Sequence, residues 1–186
     1  MAFDADQFRR LMRQHPAAVT VIATGCSPAR TGLTATAVMS LSVEPASIVC
    51  AVNRSAYTLA RILENRSFCV NTLASDQVHL ARVFSGQAGL QGEDRFSQAD
   101  WGVLETGAPV LESAVISLDC RLLQAVDAAT HTLLVGEVVA GRRQPQSAAL
   151  IYVDGRITGS ANLSKLEATI LGVIALLERV HGVADD

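Results

Sequence analysis

The residues best suited to chemistry lie between Gly32 and Ser55, in GLTATAVMSLSVEPASIVCAVNRS. Thr34, Thr36, Ser40 and Ser42 alternate there with Ala35, Ala37, Val38, Met39 and Leu41. Alternation of this kind predicts one strand from Gly32 to Ser42, with a hydroxyl face and an apolar face. Glu44-Pro45 is a turn signal, because proline fixes its own φ and moves its predecessor out of the helical region. Ser47 to Val52 is apolar and β-rich, so it reads as a buried strand. Asn53-Arg54-Ser55 then opens a short helix. Backbone N–H groups at a helix start attract anions. An arginine and several hydroxyls beside them would form a phosphate site without a glycine-rich loop. The plainer alternative is a half-exposed strand carrying ordinary Thr and Ser, with Asn53 or Ser55 capping the helix.

The rest of the composition narrows the class. The chain has 186 residues, enough for one domain with a sizeable core. Hydrophobic residues make up 49% and charged residues only 18%, low for a fully solvated monomer. Buried strands or an apolar subunit interface would account for that. A net charge of −3, with no basic run, argues against a nucleic-acid partner. Cys26, Cys50, Cys69 and Cys120 are widely spaced. They form no Cys-x-x-Cys motif or Cys/His cluster, so no metal site and no disulfide framework is expected. Free, mostly buried thiols in a reducing cytoplasm fit better. The N-terminus lacks a signal-peptide pattern, and the apolar run Ala168 to Leu177 is too short to span a bilayer.

The elements that must position the Gly32–Ser55 stretch follow from periodicity. Asp4 to Gln14 is a helix, with Asp4 and Gln7 at capping-box spacing and Pro16 as its stop. Ala18 to Ala23 is a strand, and Thr24 to Thr31 a loop. Leu59, Ile62 and Leu63 form a helical stripe that ends near Asn65. Ser67 to Leu73 is a strand, and Asp76 is placed to cap a helix bearing Val78, Ala81 and Val83. Gly86 to Asp94 is a loop whose GxxGxxG spacing is not a dinucleotide fingerprint. Ala114 to Ala125, His131 to Ala140 and Leu150 to Val153 are strands. Asp127 to Thr130 and Asp154-Gly155 are the turns between or after them. Ser164 to His181 is a helix with Ser164 and Glu167 as its capping box. Many strands, few helices and no βαβ alternation predict a mainly β, antiparallel barrel with peripheral helices and a C-terminal helix.

The ordered segments AVTVIAT, GLTATAVMSLSVEPASIVCAVNRSAYT, FCVNTLASDQVHLARVFSG, DRF, TGAPVLESAVISLDCRL, HTLLVGEVV and LIYVDGRI together resemble the flavin reductase-like family. These are FMN-binding split-barrel reductases that serve two-component monooxygenases. The resemblance runs from about Phe8 to about Asn162. It implies a split-barrel domain over residues 1–162 and a helical extension over 163–186. It also implies a cytoplasmic homodimer that binds FMN or FAD and moves hydride to it from NADH or NADPH. The reduced flavin would go to a partner oxygenase.

Carried over by residue, the resemblance assigns Thr34, Ala35, Thr36, Ala37, Val38, Ser40 and Ser42 to the flavin-binding strand. Asn53, Arg54 and Ser55 match the phosphate end. Phe84, Ser85 and Gly86 match the segment near the ring, although Phe84 would equally suit the core. Tyr152 matches a late aromatic of the pocket, and His131 the histidine at the flavin and nicotinamide site. Family members often carry an acidic residue just before that histidine. Here Ala129-Thr130 stands in its place, with Asp127 the nearest substitute. His15, His79 and His181 are expected to be ordinary surface residues. The competing readings are a flavin- or heme-binding split barrel without turnover and a fused-type oxidase acting on a bound small molecule.

Overall fold

The computed structural model describes residues 3–144 and 148–159. The helix expected over Ser164–His181 and the boundary between residues 162 and 163 lie outside the described residues.

The chain begins with helix α1 (Ala5–Arg13), whose N-cap Asp4 accepts a hydrogen bond from the Gln7 N–H at 2.7 Å. Strands β1 (Ala17–Ala18), β2 (Thr20–Thr24), β3 (Thr31–Ala35), β4 (Val38–Val43) and β5 (Ala46–Asn53) follow. Helix α2 (Tyr57–Asn65), strand β6 (Ser67–Thr72) and helix α3 (Val78–Phe84) come next, then a 3-10 turn at Gly92–Gln98. Strands β7 (Trp101–Val103), β8 (Pro109–Leu111), β9 (Ile116–Ala128), β10 (His131–Arg143), β11 (Leu150–Val153) and β12 (Arg156–Gly159) complete the described chain.

Seven strands form one antiparallel sheet in the order β3-β2-β6-β9-β10-β5-β4. The mainly antiparallel architecture expected from the strand pattern is therefore present. One expectation is corrected. Gly32 to Ser42 is two strands, and they lie at opposite edges of the sheet. Extended pairing stops at Thr36-Ala37, where the chain leaves β2 and crosses to β5. The alternation of side chains continues across this break, so it does not reveal the change of partner.

The barrel interior is filled by Ile22, Ile48, Cys50, Val52, Phe68, Val70, Leu122 and Leu134, with Leu59 and Ile62 of α2 plugging it. Gly136 is required there. A Cβ at this position would stand 2.6 Å from the Phe68 ring and 3.0 Å from Cys120 Cβ. A second cluster gathers Leu80, Val83, Phe84, Phe96 and Leu111, with Phe84, Phe96 and Trp101 edge-packed at centroid separations of 4.9–5.5 Å. Full burial of such side chains is worth roughly 1.5–3 kcal/mol each. Asn71 ties the sheet to this second cluster. It is fully buried, accepts from Leu111 N–H at 2.8 Å and Ser117 Oγ at 2.9 Å, and donates to the Val21 and Pro109 carbonyls.

Helix α3 departs from the expected cap. Its N-cap is Gln77 rather than Asp76, and the Gln77 side chain is occupied elsewhere, accepting from Ala74 N–H and donating to Ser113. The glycine-rich stretch closes into the 3-10 turn because Glu93 reaches back to the preceding loop. It accepts from Arg30 N–H at 3.0 Å and from Arg30 Nε at 2.7 Å.

The β9–β10 hairpin turns through Ala129-Thr130, since Ala128 and His131 are paired. Ala129 has φ +51°, a left-handed conformation that costs an alanine about 1–2 kcal/mol. Ala129→Gly is therefore expected to raise Tm by about 2–4 °C in a thermal melt.

Candidate functional site

A cavity of about 860 Å³ opens where the sheet is split, within the size range of small-molecule sites. Its wall is the crossing segment Thr36, Ala37, Val38 and Met39, and its floor is Val49, Ala51 and Leu133. Tyr152 closes one side, and Arg9, Met12, Arg13 and His15 from the end of α1 form the rim. Two backbone bonds hold the crossing in place: Val38 N–H donates to the Thr36 carbonyl at 3.1 Å, and Ala51 N–H to the Ala37 carbonyl at 3.0 Å.

The floor continues to the polar residues. In the β5–β10 ladder Ala51 pairs with Leu133 and Asn53 with His131. Alternate residues of a strand share a face, as do residues directly opposite across a ladder. Asn53 and His131 therefore lie on the floor's face, one strand repeat of about 6–7 Å beyond Ala51 and Leu133.

The polar end is built by local hydrogen bonds. Asn53 Oδ1 accepts from Ser55 N–H at 2.9 Å and from Ser55 Oγ at 2.8 Å. Neither residue caps α2. The N-cap is Ala56, which has no side-chain acceptor to offer, and the helix starts at Tyr57. Arg54 N–H donates to the Thr130 carbonyl at 3.0 Å, which fastens the loop to the β9–β10 turn. His131 is half-buried, and its Nδ1 lies 2.8 Å from Thr130 Oγ1. The suggestion that Asp127 substitutes as the acidic partner of His131 is corrected. Asp127 accepts from Thr132 Oγ1 at 2.8 Å and pairs with Arg54 at 3.3 Å.

The other candidate residues are dispersed. Thr34 Oγ1 donates to the Ala81 carbonyl at 2.8 Å, and the Ala35 carbonyl accepts from Thr20 Oγ1 at 2.8 Å, so both belong to the β2–β3–α3 packing. Ser40 and Ser42 line a smaller cavity of about 390 Å³. Phe84 is 2% exposed, its ring held in the aromatic cluster. Ser85 Oγ donates to the Arg82 carbonyl at 3.0 Å. Gly86 lines a third cavity of about 540 Å³ with Gly32, Tyr57 and Arg95. Thr36, Ala37, Val38 and Tyr152 thus share the main cavity, with Asn53 and His131 at its end.

Sequence reasoning missed the α1 rim, including His15, and it missed Thr130 and Thr132. Thr130 had a readable signal, adjacency to His131. The rim had none, because it depends on how α1 docks: Gln14 Nε2 donates to Asp154 Oδ1 at 2.7 Å, far away in sequence.

Among the described residues, no group of three or more His, Cys, Asp or Glu is placed to hold a metal ion, and no helix is long and apolar enough to cross a membrane. Cys50, Cys69 and Cys120 are buried free thiols. Burial pushes Cys50 and Cys120 up to about 12, and it raises Cys69 as well, with the Asp119 carboxylate adding to the shift. Thiolate is the nucleophilic form. Iodoacetamide at pH 8 is therefore expected to label one site per native chain, the exposed Cys26, with all four labelled after unfolding; peptide mass mapping checks this.

Comparisons with known proteins agree with this geometry. The profile of the flavin reductase like domain matches residues 12–161. An FMN reductase (NADH) RutF of Pseudomonas syringae pv. syringae is 41% identical over 149 residues, covering 80% of this chain and 83% of that protein. The structure of Streptomyces globisporus NADH:FAD oxidoreductase SgcE6, in complex with NAD and FAD fragments, superposes with a TM-score of 0.75 at 30% identity, covering 83% of this chain and 91% of that one. BorF, the flavin reductase component of a bacterial two-component tryptophan halogenase, superposes with a TM-score of 0.77 at 29% identity, covering 84% and 98%.

Proposed function

This chain belongs to the flavin reductase like domain family, and from that premise we propose that it transfers hydride from NADH to FMN and delivers the reduced flavin to an oxygenase component. It is an NADH-dependent flavin reductase, as its relatives are named. Delivery to an oxygenase is supported by the two-component system in which BorF serves.

The observation that carries the residue assignment is the ladder pair His131–Asn53 at the end of the cavity floor. It sets a histidine and the Asn53-Arg54-Ser55 loop beside an apolar floor. The residues fit a flavin: a flat ring needs an apolar floor and close main chain, which Val49, Ala51, Leu133 and Thr36-Ala37 provide. Bound flavin supplies the hydride-accepting ring, and the protein supplies orientation and electrostatics. The Thr36 hydroxyl has no hydrogen-bond partner among the described residues, so it is available to the ring edge. The Arg54 guanidinium offers charge and donors to a phosphate. His131, hydrogen-bonded at Nδ1 to Thr130 Oγ1, would order the nicotinamide against the floor or hold a proton for the reduced ring.

NADH oxidation followed at 340 nm with FMN, FAD or no added flavin tests this reading. Flavin-dependent turnover is expected, fastest with FMN, and its absence with every flavin overturns it. A flavin- or heme-binding protein without turnover is not favoured by any particular contact. A cytoplasmic location fits the four free thiols, which persist in reducing compartments.

A homodimer is part of the same reading. Leu41 and Val43 on edge strand β4 are 51% and 86% exposed, and α1 buries none of its residues although Phe8, Leu11 and Met12 form an apolar stripe. Apolar surface left open on an edge strand and a neighbouring helix suits a second copy of the chain. Val43→Asp places a charge on that edge without touching the core. It is expected to reduce the molar mass measured by light scattering from two chains to one and to weaken flavin binding.

A further inference from the structure

We propose that Asp127 sets how tightly the flavin phosphate is held, by competing with it for Arg54. This rests on the assignment of Asn53–Ser55 to the phosphate end.

Three contacts carry the proposal. Asp127 Oδ2 stands 3.3 Å from Arg54 Nη2. Its other oxygen accepts from Thr132 Oγ1 at 2.8 Å, and Thr132 is itself 2% exposed. The carboxylate is thus anchored to a buried hydroxyl, with its free oxygen directed at the guanidinium. Arg54 is anchored to the same hairpin through its N–H on the Thr130 carbonyl. Neither partner needs to move far for the pair to persist.

The pair has little to do for the fold. Its side chains are 55% and 61% exposed, and exposed ion pairs typically contribute at most about 1 kcal/mol. Its effect on an anion is larger in kind. A guanidinium beside a carboxylate presents a dipole rather than a net positive charge, and an arriving phosphate meets the carboxylate's repulsion together with the arginine's attraction. A flavin used as a diffusible substrate must leave after reduction. A phosphate subsite whose one arginine is half-neutralised favours that release, whereas the ring contacts on the apolar floor are untouched.

The test compares FMN with riboflavin, which has the same ring and no phosphate. Dissociation constants are measured by fluorescence quenching at low ionic strength for the unaltered protein, Asp127→Asn and Arg54→Ala. The Asp127→Asn variant keeps an oxygen for Thr132 and loses the charge. It is expected to bind FMN about three- to ten-fold more tightly, with riboflavin unchanged. The gain should shrink as salt is raised. Arg54→Ala should weaken FMN and leave riboflavin unchanged.

Each other pattern overturns the proposal in a recognisable way. If Asp127→Asn leaves FMN unchanged while Arg54→Ala weakens it, Arg54 serves the phosphate without competition. If Asp127→Asn weakens FMN, the carboxylate orients Arg54 instead of opposing the ligand. Equal changes for FMN and riboflavin would mark a general structural effect. If Arg54→Ala does not distinguish the two flavins, the phosphate assignment itself fails, and the role of Asp127 with it.

Discussion

The structure depends on one backbone constraint, the passage of the chain from one edge of the seven-stranded sheet to the other at Thr36-Ala37. Edge strands carry unpaired N–H and C=O groups, and a barrel normally removes them by closing. Here β3 and β4 sit at opposite edges and are joined by a two-residue link. The Ala35 carbonyl is taken by Thr20 Oγ1, and the Ala37 carbonyl by Ala51 N–H. The edges are therefore tethered but not zipped. A cavity remains between them, floored by β5 and β10. Larger side chains at Thr36 and Ala37 would fill the opening that the crossing creates.

The second half of the site follows from strand length. The β9 and β10 strands are each 13 residues long, and they carry their hairpin well past the barrel body. Pairing of β10 with β5 extends to His131–Asn53, so the histidine and the Asn53–Ser55 loop arrive together, and the Arg54 N–H bond to the Thr130 carbonyl fastens them. The bulge between Val135 and Gly136 and the absent Cβ of Gly136 let this long hairpin bend around Phe68. A buried ring in the core thus helps determine where the hairpin tip stands.

Much of this was legible in the sequence, and the exceptions share a cause. The apolar stripe of α2, the apolar runs of β5 and β6 and the alternating run of β9 mark elements whose burial follows their own geometry, so local pattern finds them. Gly32–Ser42 looked like one strand because alternation records faces and is silent about partners. The α3 cap was misplaced by one residue because Gln77 is set by contacts with Ala74 and Ser113, the second of them distant in sequence. The role of Asn71, with four ties to residues distant in sequence, was invisible for the same reason. Asn53 and Arg54 were readable as an anion site from their own residue types, and their grouping with His131 came from family resemblance. Their contacts came only from the structure, through the ladder and the loop-to-hairpin bonds.

Hydroxyl count is a poor guide to ligand contacts at this site. Among the candidates, Thr34, Ser42, Ser55 and Ser85 each spend their hydroxyl on a nearby protein acceptor. A hydroxyl with a satisfied donor can still accept, but it no longer offers a proton to a ring nitrogen or a phosphate oxygen. Those four residues shape turns and hold α3 and the loops in place. Side-chain donors around the main cavity are then those of Thr36, Tyr152 and the rim residues Arg9, Arg13 and His15, with the Arg54 guanidinium beyond the end of the floor. Past the end of the floor, Arg54 stands already paired with the Asp127 carboxylate at 3.3 Å.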